Sequence, residues 1–293
     1  SIPAIFKINE DFCSFLGYYI SEGYYANNDG KGGMIILTNS NEKVLNHMSA
    51  LSQKLFNISP ASRQVFGAAP STQLRISCKP LTDFIEKIGC GRSCTEKRVP
   101  ALIYGLSKEK IAAFLRTLYE GDGCITTSRD SGNSIRYNTT SRKLAEDVSY
   151  LLLGFGIVSK IYFRMPKKDN SSKMWIVEFK DREMVNKFMN EIGFVFKNKI
   201  LMIKAYSHTK ANTVYFDKDA LMNNLLQYPR KYRHLFRFLR CSKNYLKKVI
   251  SDPLCRVSER LKLFVDGDFY LDEVKEIEEI SLNEEEFVLT SFH

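Results

Sequence analysis

Apolar positions along this chain follow two periods, and both patterns recur about one hundred residues apart. Positions 44, 48, 51, 55 and 58 step by four and three, which predicts a helix with one buried face. The same face returns one hundred residues later at Val148, Leu151, Phe155 and Val158. Shorter runs rich in β-formers predict strands at 33–38, 73–77, 134–138 and 173–179.

Each half of this pattern closes with a predicted helix that ends in glycine, at 84–89 and at 188–193. The repeated order of elements is helix, strand, strand, helix, strand, strand, helix. We therefore expect an α+β protein of two pseudosymmetric αββαββα repeats, followed by a mainly helical accessory domain. The expected boundaries are 1–103 for the first repeat, 104–210 for the second, and 211–293 for the accessory domain.

Two nine-residue segments near the start of the repeats share one sequence pattern. Phe15–Gly23 and Leu115–Gly123 both read apolar, small, apolar, acid, glycine, so that Glu22 and Asp122 lie one hundred residues apart. Small residues four apart on each segment would let two helices approach closely and bring both carboxylates side by side. Two carboxylates at helix C-termini repel each other and oppose the helix dipoles, and a divalent cation resolves that conflict. The alternative is two solvated acids at helix ends.

The amino-acid composition indicates what kind of partner the protein binds. The chain of 293 residues holds 43 Lys and Arg against 33 Asp and Glu, for a net charge of +10. Residues 266–286 hold ten acids and one base, so the rest of the chain is more positive still. Such a body predicts a polyanionic partner, with nucleic acid the obvious one and a generally basic soluble protein the alternative.

The same composition argues against several other classes of protein. No apolar run approaches the ~18 residues of a membrane-spanning helix, and the first residues lack a signal-peptide pattern. We therefore expect an intracellular protein of the cytoplasm or nucleoid. The seven cysteines and four histidines show no zinc-ligand spacing, so free thiols are expected, and oxygen ligands favour Mg²⁺.

The two nonapeptides resemble the signature of the LAGLIDADG, or dodecapeptide, homing endonucleases, in their single-chain, two-repeat, intein-type form. The resemblance covers residues 10–205. It implies a monomer that cleaves both strands of a long, asymmetric duplex DNA target and leaves short 3′ overhangs, with no small-molecule substrate. It also implies that Glu22 and Asp122, the last acids of the two motifs, hold Mg²⁺, for which Mn²⁺ should substitute. The first motif departs from the family pattern, with Glu in place of Asp.

Members of the intein type also carry one basic residue per half that supports the chemistry. The resemblance assigns this role to Lys97, in the segment 95–100, and to Lys199, in the segment 196–200, with Lys197 as the alternative. An ammonium beside the scissile phosphate stabilises developing charge or helps to position the attacking water.

The strands should form two antiparallel sheets that make a saddle over DNA, with alternate side chains directed at the major groove. The candidate contacts of the first half are Arg63, Gln73, Arg75, Ser77 and Lys79. Those of the second half are Arg129, Arg136, Asn138, Arg164, Lys167, Lys168 and Lys173.

The last third of the chain is basic and then acidic. Residues 228–240 predict a helix with a basic stripe, and residues 242–250 predict a second short helix after a tight turn at Cys241–Ser242. The stripe consists of Arg230, Arg233, Arg237 and Arg240. The segment is either an accessory DNA-binding module, similar to a helix-turn-helix, or a subdomain that braces the endonuclease.

Two further interpretations are open. Residues 268–280 and 286–290 resemble the C-terminal splicing strands of an intein, although the terminal Asn is missing and self-splicing is therefore not expected. The other is a non-cleaving nucleic-acid binder on the same fold, such as an RNA splicing maturase or a transcription factor. That binder would not need both acids and both lysines.

Overall fold

The computed structural model describes residues 7–28, 32–66, 70–128, 132–165, 173–197, 213–215, 218–238 and 240–267. By its internal contacts the chain divides into two units, Ser1–Ala211 and Asn212–His293. Both repeats lie in the first unit.

The first repeat begins with a helix and returns to a helix after two hairpins. Asn9 caps the opening helix by accepting a hydrogen bond from the backbone N–H of Phe12, and the helix ends where Gly23 takes up extended backbone. The elements are α1 (Glu10–Glu22), β1 (Gly23–Asn28), β2 (Gly32–Asn39), α2 (Glu42–Phe56), β3 (Ala61–Val65), β4 (Ser71–Ser77) and α3 (Lys79–Lys87).

The second repeat follows the same order after a short 3₁₀ turn at Ala101–Ile103. Its elements are α4 (Lys108–Asp122), β5 (Gly123–Ser128), β6 (Gly132–Thr139), α5 (Arg142–Leu153), β7 (Lys160–Arg164), β8 (Met174–Phe179) and α6 (Arg182–Lys187). A π-helical turn, Phe188–Ile192, completes the last helix before Gly193. The predicted α+β architecture of two αββαββα repeats is confirmed.

Each repeat forms one four-stranded antiparallel sheet, with the strand orders β1-β2-β4-β3 and β5-β6-β8-β7. The registers repeat as well, because Gly23 pairs with Leu37 and Gly123 pairs with Tyr137. The central strands place one face on the helices. Ile35, Leu37, Ile135 and Tyr137 are fully buried there.

The two motif helices, α1 and α4, pack against each other at very short distance. A Cβ added to Gly17 would lie 2.2 Å from Thr117 Oγ1 and 2.3 Å from the carbonyl oxygen of Phe114. A Cβ on Gly121 would lie 2.3 Å from Ser21 Oγ. Thr117 Oγ1 donates a hydrogen bond to the carbonyl oxygen of Ser14 across the contact, at 2.9 Å. The spacing of small residues that the sequence offered is what allows this approach.

The helices and strands in the described part of the second unit are all short. They are β9 (Thr213–Tyr215), α7 (Lys218–Asn224), β10 (Leu225–Gln227), α8 (His234–Phe238), β11 (Arg240–Ser242), α9 (Lys243–Ile250), β12 (Arg256–Val257) and α10 (Glu259–Asp266). Two small clusters of buried side chains lie in this part, one of Leu221, Leu225, Tyr232, Leu235 and Val249, and one of Leu246, Leu261 and Val265.

Two details of the sequence prediction for this unit were wrong. The expected continuous helix at 228–240 is a 3₁₀ turn, Arg230–Tyr232, followed by α8, and Arg240 already belongs to a strand. The expected tight turn at Cys241–Ser242 is part of β11, which pairs with β9. The reason is that β9 lies some 27 residues upstream, and helical periodicity carries no information about so distant a strand partner.

Candidate active site

The C-terminal ends of α1 and α4 open into a cleft of about 1000 Å³. Glu22 and Asp122 both line it, together with Lys97, Thr38 and Asn138. Gly121 lies between the two helices so tightly that a Cβ there would be 3.0 Å from Glu22 Oε1. The close helix contact therefore brings the two carboxylates to one place, as the motif spacing predicted.

Each helix ends at its acid in the same manner. Gly23 and Gly123 take up extended backbone, and their N–H groups donate hydrogen bonds to the carbonyl oxygens of Tyr19 and Tyr119. The chain leaves each helix directly into the first strand of the repeat. As a result each acid lies at the junction of a helix and a sheet, where it faces the cleft.

The two carboxylates sit in unfavourable surroundings for ionised groups. Burial raises the pKa of Asp122 to about 7, and the neighbouring Glu22 carboxylate adds to this rise. Burial also raises the pKa of Glu22. Asn39 opposes that rise, since its Nδ2 donates a hydrogen bond to Glu22 Oε1 at 2.8 Å. Two buried carboxylates are stabilised in their ionised form by positive charge nearby.

Lys97 supplies positive charge from the first repeat. Its residue is 3% exposed, its Nζ donates to the carbonyl oxygen of Tyr19 at 3.0 Å, and that Nζ lies 3.5 Å from the centre of the Tyr19 ring. Burial lowers the pKa of Lys97 to about 7, while Cys90 and Asp122 act in the opposite direction. Lys97 is thus held inside the cleft rather than on an open surface.

Lys197 takes the matching place in the second repeat. Its Nζ donates hydrogen bonds to three carbonyl oxygens, those of Tyr119 at 3.2 Å, Gly121 at 3.1 Å and Gly123 at 2.8 Å. The Tyr119 contact repeats, one hundred residues later, the contact of Lys97 with Tyr19. Burial lowers the pKa of Lys197, and Glu120, Glu22 and Asp122 oppose this effect. Lys199, the first choice from sequence, lies outside the described residues.

The donor atoms at this position fit a hard divalent cation. Glu22 and Asp122 offer carboxylate oxygens, and no cluster of three or more His, Cys, Asp or Glu side chains that could hold a metal occurs in the described part of the chain. Two carboxylates leave most of an octahedral shell to water and phosphate oxygens, which is the usual situation of Mg²⁺ at a phosphoryl site.

One face of the first sheet extends the cleft. Antiparallel partners share a face, and Thr38, which lines the cleft, pairs with Gln73, which in turn pairs with Arg63. Arg75 and Ser77 follow on the same face by alternation. Arg75 has a buried Nε with no hydrogen-bond partner, and its Nη2 donates to Gln73 Oε1 at 3.2 Å.

Lys79 is not on that face. Its Nζ forms an ion pair with Asp83 at 2.7 Å and donates to Asn27 Oδ1 at 3.0 Å, on the side of the sheet that α3 covers. The sequence placed Lys79 with the strand because it follows Ser77 by two residues, but the strand ends at Ser77 and Lys79 begins α3.

The second sheet presents a matching face. Asn138 and Met174 line the cleft, Arg136 shares the face of Asn138 by alternation, and Arg164 pairs with Met174. Arg136 Nε forms an ion pair with Glu178 Oε1 at 2.6 Å. Lys173 is exposed just before β8. The candidates Arg129, Lys167 and Lys168 lie outside the described residues.

In the second unit, Arg230, Arg233 and Arg237 are exposed. Arg240 begins β11, and its side chain is not among those described. The acidic segment 268–293, with its resemblance to splicing strands, lies outside the described residues.

Several residues of the site escaped the sequence prediction. Asn39 contacts Glu22, Tyr137 contacts Asp122, and Glu120 contacts the backbone of Lys197. No short sequence motif marks any of these three residues. Tyr137 OH lies 3.5 Å from Asp122 Oδ2. For Lys197 a signal was present: the offset of one hundred residues that relates Glu22 to Asp122 also relates Lys97 to Lys197, and it selects Lys197 over Lys199.

The protein is thus a duplicated α+β protein in which each repeat contributes one acid and one lysine where the two motif helices end. The family model described as "LAGLIDADG-like domain" matches residues 12–89 and 109–193, which is more than half of the chain. The chain belongs to the LAGLIDADG family.

Curated relatives match this chain over small parts of their own length. The replication factor C small subunit of Methanocaldococcus jannaschii is 29% identical over 193 residues, which is 66% of this chain and 10% of that protein. The DNA polymerase of Thermococcus aggregans is 33% identical over 159 residues, or 53% and 8%. The RNA polymerase subunit Rpo1C of M. jannaschii is 25% identical over 307 residues, or 96% and 33%. The chain thus spans a third or less of each of these proteins.

Solved structures with a similar fold include variants of the homing endonuclease I-DmoI and the homing endonuclease I-WcaI bound to its DNA recognition sequence. The I-DmoI variants are 20% identical, with 63% of this chain and 91% of that chain covered and a TM-score of 0.47. I-WcaI is 11% identical, with 70% of this chain and 90% of that chain covered and a TM-score of 0.49.

In the described part of this chain, no helix has both the length and the apolar character that crossing a membrane requires.

Proposed function

We propose that this chain is a site-specific DNA endonuclease that hydrolyses both strands of a long, asymmetric duplex target and leaves short 3′ overhangs. The observation that carries the proposal is the pairing of Glu22 and Asp122 at the ends of two close-packed helices, each with a lysine at the matching place. Duplex DNA has two antiparallel strands related by a local twofold axis. Two pseudosymmetric sets of groups fit two scissile phosphates, one on each strand.

The residues present fit a divalent cation at the carboxylate pair. Glu22 and Asp122 would hold it, and Asn39 orients the Glu22 carboxylate through its hydrogen bond to Oε1. A cation such as Mg²⁺, when bound there, supplies positive charge that polarises the phosphate and favours ionisation of an attacking water. Mn²⁺ has the same preference for oxygen ligands and should replace it.

The two lysines lie beside the two acids, Lys97 in the lining of the cleft and Lys197 on the backbone that flanks Asp122. Lys97 and Lys197 each have an ammonium fixed by backbone carbonyl oxygens, so neither has to be ordered when DNA binds. A fixed ammonium stabilises charge that develops on the phosphate oxygens or the leaving oxygen, at no cost in reorganisation. Burial lowers the pKa of both lysines, that of Lys97 to about 7, so Lys97 is also able to exchange a proton with water near neutral pH.

Binding of the duplex falls to the cleft-facing sides of the two sheets. Arg63, Gln73 and Arg75 on one side and Arg136, Asn138 and Arg164 on the other offer the donors that purine edges and phosphates accept. The two sets differ in sequence, which supports an asymmetric target. The exposed arginines of the second unit, Arg230, Arg233 and Arg237, are proposed as accessory phosphate contacts.

The relatives support an origin as an inserted element of the intein type. A replication factor, a DNA polymerase and an RNA polymerase subunit have different activities, yet each matches this chain over a minor part of its length. A segment shared by such different proteins is expected of a mobile element that inserts into host genes. An endonuclease that cuts gene copies lacking the insertion would allow such an element to spread.

A plasmid library of genomic fragments tests the proposal. With the purified chain and Mg²⁺, we expect a discrete subset of plasmids to become linear, with 3′ overhangs on sequencing of the ends, and EDTA should stop the reaction. Plasmids that are retained by the protein but never cut, with Mg²⁺ or Mn²⁺, would instead favour a non-cleaving nucleic-acid binder such as a maturase or transcription factor.

A further inference from the structure

A buried carboxylate that the proposed chemistry does not use lies two residues before Asp122. Glu120 belongs to α4, and its residue is 2% exposed. Its Oε2 accepts hydrogen bonds from the backbone N–H groups of Val195 at 3.0 Å, Phe196 at 3.0 Å and Lys197 at 3.3 Å. Burial of a carboxylate is expensive unless donors surround it, and three N–H groups at one oxygen provide them.

These three N–H groups belong to the segment that carries Lys197. Glu120 holds the backbone of residues 195–197, and the side chain of Lys197 then reaches the carbonyl oxygens of Gly121 and Gly123 on either side of Asp122. The lysine is therefore fixed at both ends. One end is its own backbone, on Glu120, and the other is its ammonium, on the chain around the acid.

The first repeat does not use this device. The residue one hundred positions before Glu120 is Ile20, which is 3% exposed and has no polar side chain. The backbone of Lys97 is held by its own turn instead, since its N–H donates to the carbonyl oxygen of Ser93 at 3.1 Å, and Tyr19 supports its ammonium. Glu120 thus serves one of the two lysines.

We propose that Glu120 is a positioning residue for Lys197, and that its carboxylate is needed for cleavage of one DNA strand but not the other. The inference rests on the proposed endonuclease function. Three backbone donors aimed at one buried oxygen, immediately before the lysine they carry, are the juxtaposition that supports it.

The consequence is a separation of the two strand cleavages. Glu120→Gln replaces the charged carboxylate with a neutral amide, which is a weaker acceptor for the three N–H groups. Residues 195–197 are then held less firmly, so that Lys197 loses its place beside Asp122. Lys97 and its supports are untouched. A misplacement of about 1 Å in a positioned group costs on the order of a hundredfold in rate. The variant should therefore nick its target and convert it to linear DNA slowly.

The test uses a supercoiled plasmid that carries a cleaved target, with the two strands followed separately by end labels. We compare Glu120→Gln with Glu146→Gln, a matched substitution at an exposed glutamate of α5 that pairs with Arg142. Glu120→Gln should slow one strand by at least about tenfold while the other strand changes little, and nicked plasmid should accumulate. Glu146→Gln should cleave both strands like the wild type.

Two further variants connect the effect to the lysine. Lys197→Met should slow the same strand as Glu120→Gln, whereas Lys97→Met should slow the other. The double variant Glu120→Gln/Lys197→Met should be no slower than Lys197→Met alone, because both changes remove one function. Equal slowing of both strands by Glu120→Gln, or additive effects in the double variant, would overturn the assignment.

Amide hydrogen exchange of the full chain without DNA provides a readout that is independent of cleavage. Glu120→Gln should increase exchange at residues 195–197 and leave residues 97–99 unchanged. Unchanged exchange at 195–197 would refute the contact itself. Should the wild type cleave no target, the endonuclease proposal fails, and this measurement alone decides whether Glu120 fixes the segment of Lys197.

Discussion

Lys97 and Lys197 occupy matching places in the two repeats, yet different contacts hold them. Lys97 is almost fully buried, lies over the ring of Tyr19 and has one carbonyl acceptor. Lys197 is less buried, has three carbonyl acceptors, and depends on Glu120 for its backbone. The comparison teaches that a duplicated framework fixes where an ammonium must lie, while the means of support differs between the copies.

The two sheets differ in the same way. In the first sheet, Arg75 has a buried Nε without a hydrogen-bond partner, and its Nη2 donates to Gln73 Oε1. In the second, the corresponding position of the register is Glu178, which is paired with Arg136 at 2.6 Å. One face therefore presents an arginine with an unused donor, and the other presents an arginine that is already engaged by a carboxylate.

The largest effect is expected at the carboxylates themselves. Asp122→Asn should abolish double-strand cleavage, with a loss of roughly a thousandfold or more, because a neutral amide no longer balances a cation at this place. DNA binding in EDTA should remain largely intact. Glu22→Gln should behave alike, since both acids face one cleft. Full cleavage by Asp122→Asn, measured as linear plasmid, would remove this residue from the mechanism.

The next effect concerns the helix contact, where the two glycines are not equivalent. At Gly17 an added Cβ meets a backbone carbonyl, that of Phe114, whereas at Gly121 it meets side-chain atoms of Ser21 and Glu22. Gly17→Ala should therefore lower the free energy of unfolding by about 3 kcal/mol, and Gly121→Ala by less.

Thermal unfolding of both variants, with Gly105→Ala as the control, checks this order. Gly105 has open space where its Cβ would be, so its substitution should be neutral or slightly stabilising. A Gly17→Ala variant as stable as Gly105→Ala would show that the helices do not approach as closely as described.

A smaller effect should appear in the pH dependence of stability. Burial raises the pKa of Asp122 from its ordinary value of 3.8 to about 7, so the folded state binds more protons than the unfolded state between these values. The stability of the metal-free wild type should then fall as pH rises from about 4 to about 7.

Asp122→Asn removes this titration. It should be more stable than the metal-free wild type by up to a few kcal/mol at pH 8, on the order of the cost of ionising a buried carboxylate, and equal to it near pH 4. Urea unfolding in EDTA at both pH values measures the difference. A constant difference at pH 4 and pH 8 would contradict the raised pKa of Asp122.

The smallest effect is expected on the sheet faces. Arg75→Ala should weaken DNA binding by about 1–2 kcal/mol and reduce the slope of log affinity against log salt by about one. Arg136→Ala should weaken binding less, since Glu178 already engages its guanidinium. Lys79→Ala, on the opposite side of the first sheet, should change neither quantity. Fluorescence anisotropy over a salt series provides the measurement, and equal losses for Arg75 and Lys79 would argue against a binding face.

Sequence by itself determined the duplication, the pairing of Glu22 with Asp122 and the strands that flank them. These features rest on short-range periodicity and on one repeated offset, which a single chain displays. The close packing of α1 on α4 followed from the spacing of small residues, because helix approach depends on side-chain size along one face.

Only the tertiary structure decided the rest. Glu120 acts on amides some 75 residues away, Tyr19 accepts Lys97 from 78 residues away, and Lys79 turns to the helix side because its strand ends two residues earlier. Hydrogen bonds of this kind depend on which backbone groups the fold leaves without a partner. Which backbone groups lack a partner depends on how the whole chain packs, and no short stretch of sequence contains that information.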